Sequence, residues 1–166
     1  SSVVSSSRVR SKWIGMAPAK TLPKQIVRFD ESKSVYPYEL SNSTPETGKF
    51  LKPFIKRYSN EVLIKSFLAL PNNWNGNGAE AIDKTVVLKA ISLLRELEQQ
   101  PDIFPTARNT IQFEYEHGND YLEIEIFEEY FNVYKSVANE EMEYHTTELY
   151  KLRKEVLNYH ASIRNK

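Results

Sequence analysis

Ile111-Gln112-Phe113-Glu114-Tyr115-Glu116-His117-Gly118-Asn119-Asp120-Tyr121-Leu122-Glu123-Ile124-Glu125-Ile126 is the stretch whose reading decides the fold. Ile111, Phe113 and Tyr115 alternate with polar residues, and so do Leu122, Ile124 and Ile126. A period of two marks strands with one buried face. Between the runs, His117 to Asp120 reads as a turn. With Gly118-Asn119 as a two-residue hairpin loop, Tyr115 faces Leu122, Phe113 faces Ile124 and Ile111 faces Ile126. The same register sets Glu114 directly against Glu123, with Glu125 near Gln112 and Glu116 near Tyr121.

Downstream, a third strand over about Tyr130 to Lys135 continues the meander, with Phe131 and Val133 on the apolar face. A helix is expected from about Asn139 or Thr146 to Ala161. Met142, His145, Leu149, Leu152, Val156 and Tyr159 step by threes and fours, a heptad-type seam. That seam serves either packing on the sheet or a homodimer through the C-terminal helix.

Upstream, a helix over about Lys84 to Gln99 follows from the stripe Val87, Ala90, Ile91, Leu94 and Leu97, with Asp83 as its cap and Lys89 on its solvated side. Pro101-Asp102-Ile103-Phe104-Pro105 then runs extended. Before it, Asn72-Asn73-Trp74-Asn75-Gly76-Asn77-Gly78-Ala79 reads as consecutive tight turns. Two readings stand for this loop. In one it is a clasp, with Trp74 plugging the core while Gly76 and Gly78 let the backbone pass. In the other its amides form an anion-binding nest. A nucleotide fingerprint is absent, because no strand leads into the glycines and no Lys-Ser/Thr pair follows. A further helix spans Ser59 to Leu70 and ends at Pro71.

Residues 1–58 are rich in Ser, Pro and Lys, and prolines at 18, 23, 37, 45 and 53 argue for an extended arm. Net charge is zero overall, yet residues 1–60 hold eleven Lys and Arg against four Asp and Glu, a net +7, and the remainder carries −7. Such an arm either folds back on the acidic body or reaches an acidic partner. Arg8, Arg10, Lys12 and Trp13 are its partner-binding candidates, including for nucleic acid through phosphate contacts and stacking.

The 166-residue chain has no cysteine, so disulfides, zinc–thiolate sites and cysteine nucleophiles are excluded, and a reducing, cytoplasmic setting is expected. No run spans a bilayer, and no apolar secretory segment is evident at the start; a membrane partner is not expected. The sequence names no catalytic residue, no metal ligand and no cofactor: there is no Gly-x-Ser-x-Gly and no His-Glu-x-x-His. His117 sits in a turn, and His145 in the helical seam.

Seven acidic residues and no Lys or Arg lie between Thr110 and Tyr130. Like charges directly opposed across a strand pair are destabilising by up to about 1 kcal/mol. Water and salt are the default offset, followed by a basic surface, then a divalent cation held by oxygens. Glu114, Glu123 and Glu125 are therefore the candidate partner-binding residues of the acidic face, and a metal-dependent enzyme using them is the rival reading.

The segment from Leu68 to Tyr134 resembles a loose group of small bacterial and phage proteins with a Trp-Asp-Gly-x-Gly-Ala signature and an acidic strand pair. The matching residues are Leu70-Pro71-Asn72-Asn73-Trp74-Asn75-Gly76-Asn77-Gly78-Ala79 and Ile82, then Pro101 to Pro105, and then the two alternating runs. Asn75 stands where Asp is usual, and Tyr115 where Trp is common. That group has no settled activity, so the resemblance implies a fold and a bacterial or phage setting, with mobile-element or defence contexts, and no catalytic residue.

The sequence thus predicts an α+β domain over 59–166. Its antiparallel meander has three or more strands, with helices packed on one face, and an extended N-terminal arm over 1–58 precedes it. The expected work is non-catalytic protein–protein interaction.

Overall fold

A computed structural model describes residues 45–164. The order of elements is helix α1 (Pro45–Ser66), a 3-10 turn (Phe67–Ala69), helix α2 (Lys84–Glu96), strands β1 (Asp102–Pro105), β2 (Ile111–His117), β3 (Asp120–Ile126), β4 (Phe131–Val137) and β5 (Glu140–Thr146), and helix α3 (Leu149–Arg164). The five strands form one antiparallel sheet in the order β1-β2-β3-β4-β5, a plain meander. This is the expected α+β class, with two more strands than the minimum.

The β2–β3 register matches the reading from the sequence at each pair, from Ile111 opposite Ile126 to Glu116 opposite Tyr121. Gly118 takes φ +59 in the connecting turn, where a side chain would be strained. Ile111, Phe113, Leu122, Ile124, Ile126, Phe131 and Val133 point to one side and are buried, and α1, α2 and α3 close over them. From α2 come Val86, Val87, Ala90, Ile91, Leu93 and Leu94. The hydroxyl of Tyr159 on α3 donates to the carbonyls of Tyr115 (3.3 Å) and Asp120 (3.0 Å), tying the helix to the β2–β3 hairpin end.

Several expectations need correction. The first helix starts at Pro45, not Ser59, so residues 45–58 are helical and do not belong to an extended arm. Pro45 occupies the first helical position, where its missing N–H is not needed. Pro53 lies within the helix and forgoes one bond there. Residues 140–146, offered as a helical start, form β5 instead. Met142 and His145 therefore belong to a strand, and the seam shrinks to Leu152, Val156 and Tyr159, all buried in this chain's own core. A homodimer through α3 would have to use its outer residues, such as Tyr150 and Leu157. Lys89, expected on the solvated side, is half-buried: its ammonium donates to the carbonyls of Phe127 (3.0 Å) and Glu128 (3.1 Å) and sits 4.3 Å from the Phe131 ring centroid.

Asp83 holds the N-cap position of α2, but its carboxylate accepts from the Asn109 side chain at 2.7 Å instead of from helix amides. On α1, Arg57 donates to the Leu97 carbonyl at 3.0 Å and Glu61 takes Arg95 of α2 at 2.8 Å. These contacts fix α1 beside α2 and next to the entry of β1.

Candidate functional site

The loop 72–79 is built as a clasp. Trp74 is 6 % exposed and its indole N–H donates to the Glu80 carbonyl at 3.0 Å. Gly76 and Gly78 adopt φ +75 and +81. Asparagine side-chain oxygens take up the turn's amides: Asn75 accepts from Asn77 (2.8 Å) and Ala79 (3.1 Å), Asn73 from Gly78 (2.7 Å), and Asn72 from Ala81 (2.9 Å). Donors already satisfied this way are not available to cradle an anion, which favours the clasp over the nest.

The acidic face lies on the opposite side of the sheet from the helices. Strand pairing lines up Asp102, Glu114, Glu123, Tyr134 and Glu143 in one row across five strands. A second row holds Phe104, Gln112, Glu125, Asn132 and His145, and a third holds Glu116, Tyr121, Ser136 and Glu141. Alternation along each strand forces these residues to share the face. The structure thus brings Glu114, Glu123 and Glu125 together as expected. Arg8, Arg10, Lys12 and Trp13 lie outside the described residues.

The expectation that water and salt screen these charges fails at the centre of the face. Glu114 is 2 % exposed, Glu123 6 % and Glu125 2 %. Taking a carboxylate out of water costs several kcal/mol unless hydrogen bonds or a cation replace the lost hydration. Glu125 and Glu123 find that replacement by different routes. Glu125 is gripped by Arg108: the guanidinium Nε donates to one carboxylate oxygen at 2.8 Å and a terminal nitrogen to the other, in a bidentate fork. The Thr110 hydroxyl donates to the same carboxylate. Arg108 itself is 61 % exposed and lies with its guanidinium carbon 5.4 Å from the centroid of the Phe127 ring.

Glu123 receives the Tyr121 hydroxyl at 2.9 Å. Burial, then the charges of Glu123 and Glu114, push the Tyr121 phenol well above its ordinary range, so it stays a proton donor to this cluster. The Tyr121 and Tyr134 rings lie 6.2 Å apart across the strand pair. Towards β5, the Asn132 amide donates to Glu143 at 2.9 Å, and His145 stacks on Tyr130 at 4.8 Å. Glu116, Glu141 and Glu143 form an exposed rim.

Arg108 and Tyr121 were not among the candidates from sequence. A signal for Arg108 existed: it stands three residues ahead of Ile111, and the register that pairs Ile111 with Ile126 carries the preceding loop to the Glu125 end of β3. His117 is exposed, as expected, but it ends β2 opposite Asp120 and does not lie in the turn. His160, on α3, packs edge-on against Tyr115 (5.1 Å) and Tyr159 (5.4 Å). Burial, then Arg164, holds its imidazole below the usual histidine range.

Among the described residues, no three His, Asp or Glu side chains converge as a metal ion would require, and no helix is long and apolar enough to cross a membrane. No protein-family model, curated protein or solved structure matches the chain.

Proposed function

We propose that the chain is a non-catalytic protein-interaction module whose acidic sheet face meets a basic surface. An inhibitor, antitoxin or accessory subunit in the cytoplasm of a bacterial or phage conflict system would present such a face. The observation that carries this reading is the set of exposed carboxylates Asp102, Glu116, Glu141 and Glu143 around the buried Glu114 and Glu123, on the sheet face opposite the helical core. An array of like charge with the half-buried Tyr134 ring beside it suits Lys and Arg side chains, which can pair with carboxylates and lie on rings. Complementary charge speeds encounter and selects the partner more than it sets affinity.

The test is affinity capture from a bacterial lysate by the full chain and by a Glu116→Lys, Glu141→Lys, Glu143→Lys variant, across a salt series. These three positions are exposed, and because Glu143 accepts the Asn132 amide, circular dichroism checks that the variant keeps the fold. Basic proteins retained by the wild type should be lost from the variant and released by salt. An identical retained set on both chains, with the same salt dependence, refutes the reading.

A further inference from the structure

The acidic face is closed to solvent at its centre although α1, α2 and α3 all lie on the other side of the sheet. Glu114 and Glu123, on adjacent middle strands, are 2 and 6 % exposed, and Tyr121 beside them is 3 % exposed. Burial this deep on an open sheet face demands a cover. The charge of the face says the cover is cationic, because carboxylates buried side by side are tolerated only when opposite charge or hydrogen-bond donors reach them.

We propose that this face is the docking surface for the chain's own basic N-terminal segment, residues 1–44. The proposal rests on the reading of the face as a surface for basic groups, and it adds that the first occupant is supplied in cis.

Three observations support it. The first is charge: residues 1–44 hold seven Lys and Arg (Arg8, Arg10, Lys12, Lys20, Lys24, Arg28, Lys33) against three acidic residues, a net +4. Trp13, Phe29, Tyr36 and Tyr38 are interleaved with them, matching the aromatic rings among the carboxylates. The second is the point of entry. Lys56 on α1 lines a cleft with Asp102, Glu114 and Glu116 on one side and Tyr159, His160 and Ile163 of α3 on the other, at the edge where β2 runs on past the four-residue β1. Pro45 is eleven residues back from Lys56 along the helix, about 16 Å at 1.5 Å per residue. The segment therefore precedes the same helix that carries Lys56 to this cleft. The third is length. Five strands about 4.8 Å apart, each of up to seven residues at about 3.4 Å, make a face of roughly 20 by 24 Å. Forty-four residues reach well over 100 Å when extended, at about 3.3 Å each.

A tethered occupant acts at an effective concentration in the millimolar range, so an outside partner must outcompete it. The segment then behaves as a built-in competitor that sets the threshold for partner binding.

The absence of cysteine gives a direct test in the full chain. Single variants Ser11→Cys and Ser34→Cys each carry one nitroxide label. The labelled, ¹⁵N-enriched chain is diluted into excess unlabelled, unenriched chain, so that only contacts within one molecule report. Amides of residues 112–116 and 121–125 should broaden strongly from at least one position while those of α3 broaden little, and 1 M NaCl should reverse the effect. No selective broadening of the face from either position overturns the proposal. So does broadening that disappears on dilution, which would assign the cover to a second copy. If the labels leave the face untouched while the rim variant still loses its captured proteins, the cis docking falls and the interaction reading stands. Face broadening together with unchanged capture keeps the cis docking and removes the outside partner.

Discussion

Arg108→Met is the sharpest probe of how the acidic face is held together. Methionine keeps an unbranched stem that can lie along Phe127, as Arg108 does now, and removes the guanidinium. Glu125 then loses both arms of its fork and keeps the Thr110 hydroxyl. Removing one partner of a fully buried pair costs about 3–5 kcal/mol. Here only the glutamate is buried, at 2 %, while Arg108 is 61 % exposed. Water can reach the vacated side, which lowers the cost to about 2–3 kcal/mol, close to the loss of one or two charge-assisted bonds.

Urea unfolding followed by circular dichroism measures this directly. With a slope of roughly 2 kcal/mol/M, typical for a domain of this size, the midpoint should fall by about 1 M or a little more. Adding Glu125→Gln removes the stranded charge and leaves an amide that Thr110 can still reach. The double variant should recover to within about 1 kcal/mol of the wild type. An Arg108→Met chain that stays within about 0.5 kcal/mol of the wild type would refute this account, as would a double variant no better than the single.

Trp74→Phe strands the Glu80 carbonyl and leaves a gap, and should lower stability by about 2–3 kcal/mol in thermal unfolding; no change would remove the clasp. Ala138→Gly should raise stability by about 0.5–1 kcal/mol, because Ala138 sits at φ +53 in the β4–β5 turn, where a Cβ is unfavourable. His160 is held below the ordinary histidine pKa of 6.5 by burial and then by Arg164, so the unfolded chain binds its proton more readily. Its contribution is complete above pH 6.5 and is lost as pH falls through the folded value; His160→Gln should flatten the stability profile on the acid side of pH 6.5. Burial, then Glu155, pushes the Tyr144 phenol up to about 12, so its contribution holds below the ordinary value of 10.0 and is lost as pH rises towards 12. Tyr144→Phe should reduce the alkaline loss of stability in that window, read by near-ultraviolet circular dichroism.

The sheet's centre was legible because its signals are local. Alternation in β2 and β3 and the Gly118-Asn119 turn fix which residues face each other without reference to the rest of the fold. β5 was not legible for an equally local reason. Its turn, Ala138-Asn139, adopts two positive φ angles without a glycine to announce them. Met142 and His145 also happen to continue the spacing of Leu149, Leu152 and Val156, so strand and helix read as one helical seam. The early start of α1 was hidden by Pro45 and Pro53. Proline is informative about helices only when its position in the helix is known, and that position was the unknown.

The candidate site shows a different limit. Pairing tells which carboxylates are neighbours, whereas burial depends on what lies above the face, which no strand pattern encodes. Once burial is known, the glutamates stop being interchangeable. Glu125 is neutralised within the fold by Arg108, and Glu123 holds the Tyr121 hydroxyl. Changing either perturbs the hydrogen bonding of the sheet before it perturbs any partner. Glu116, Glu141 and Glu143 are exposed, and reversing them disturbs the fold less, the largest loss being the Asn132 bond to Glu143. A loss of binding in the rim variant therefore reports on recognition, while a loss of stability in the Arg108 and Glu125 pair reports on the scaffold. A charge-reversal at Glu114, Glu123 and Glu125 together would mix the two effects and decide neither.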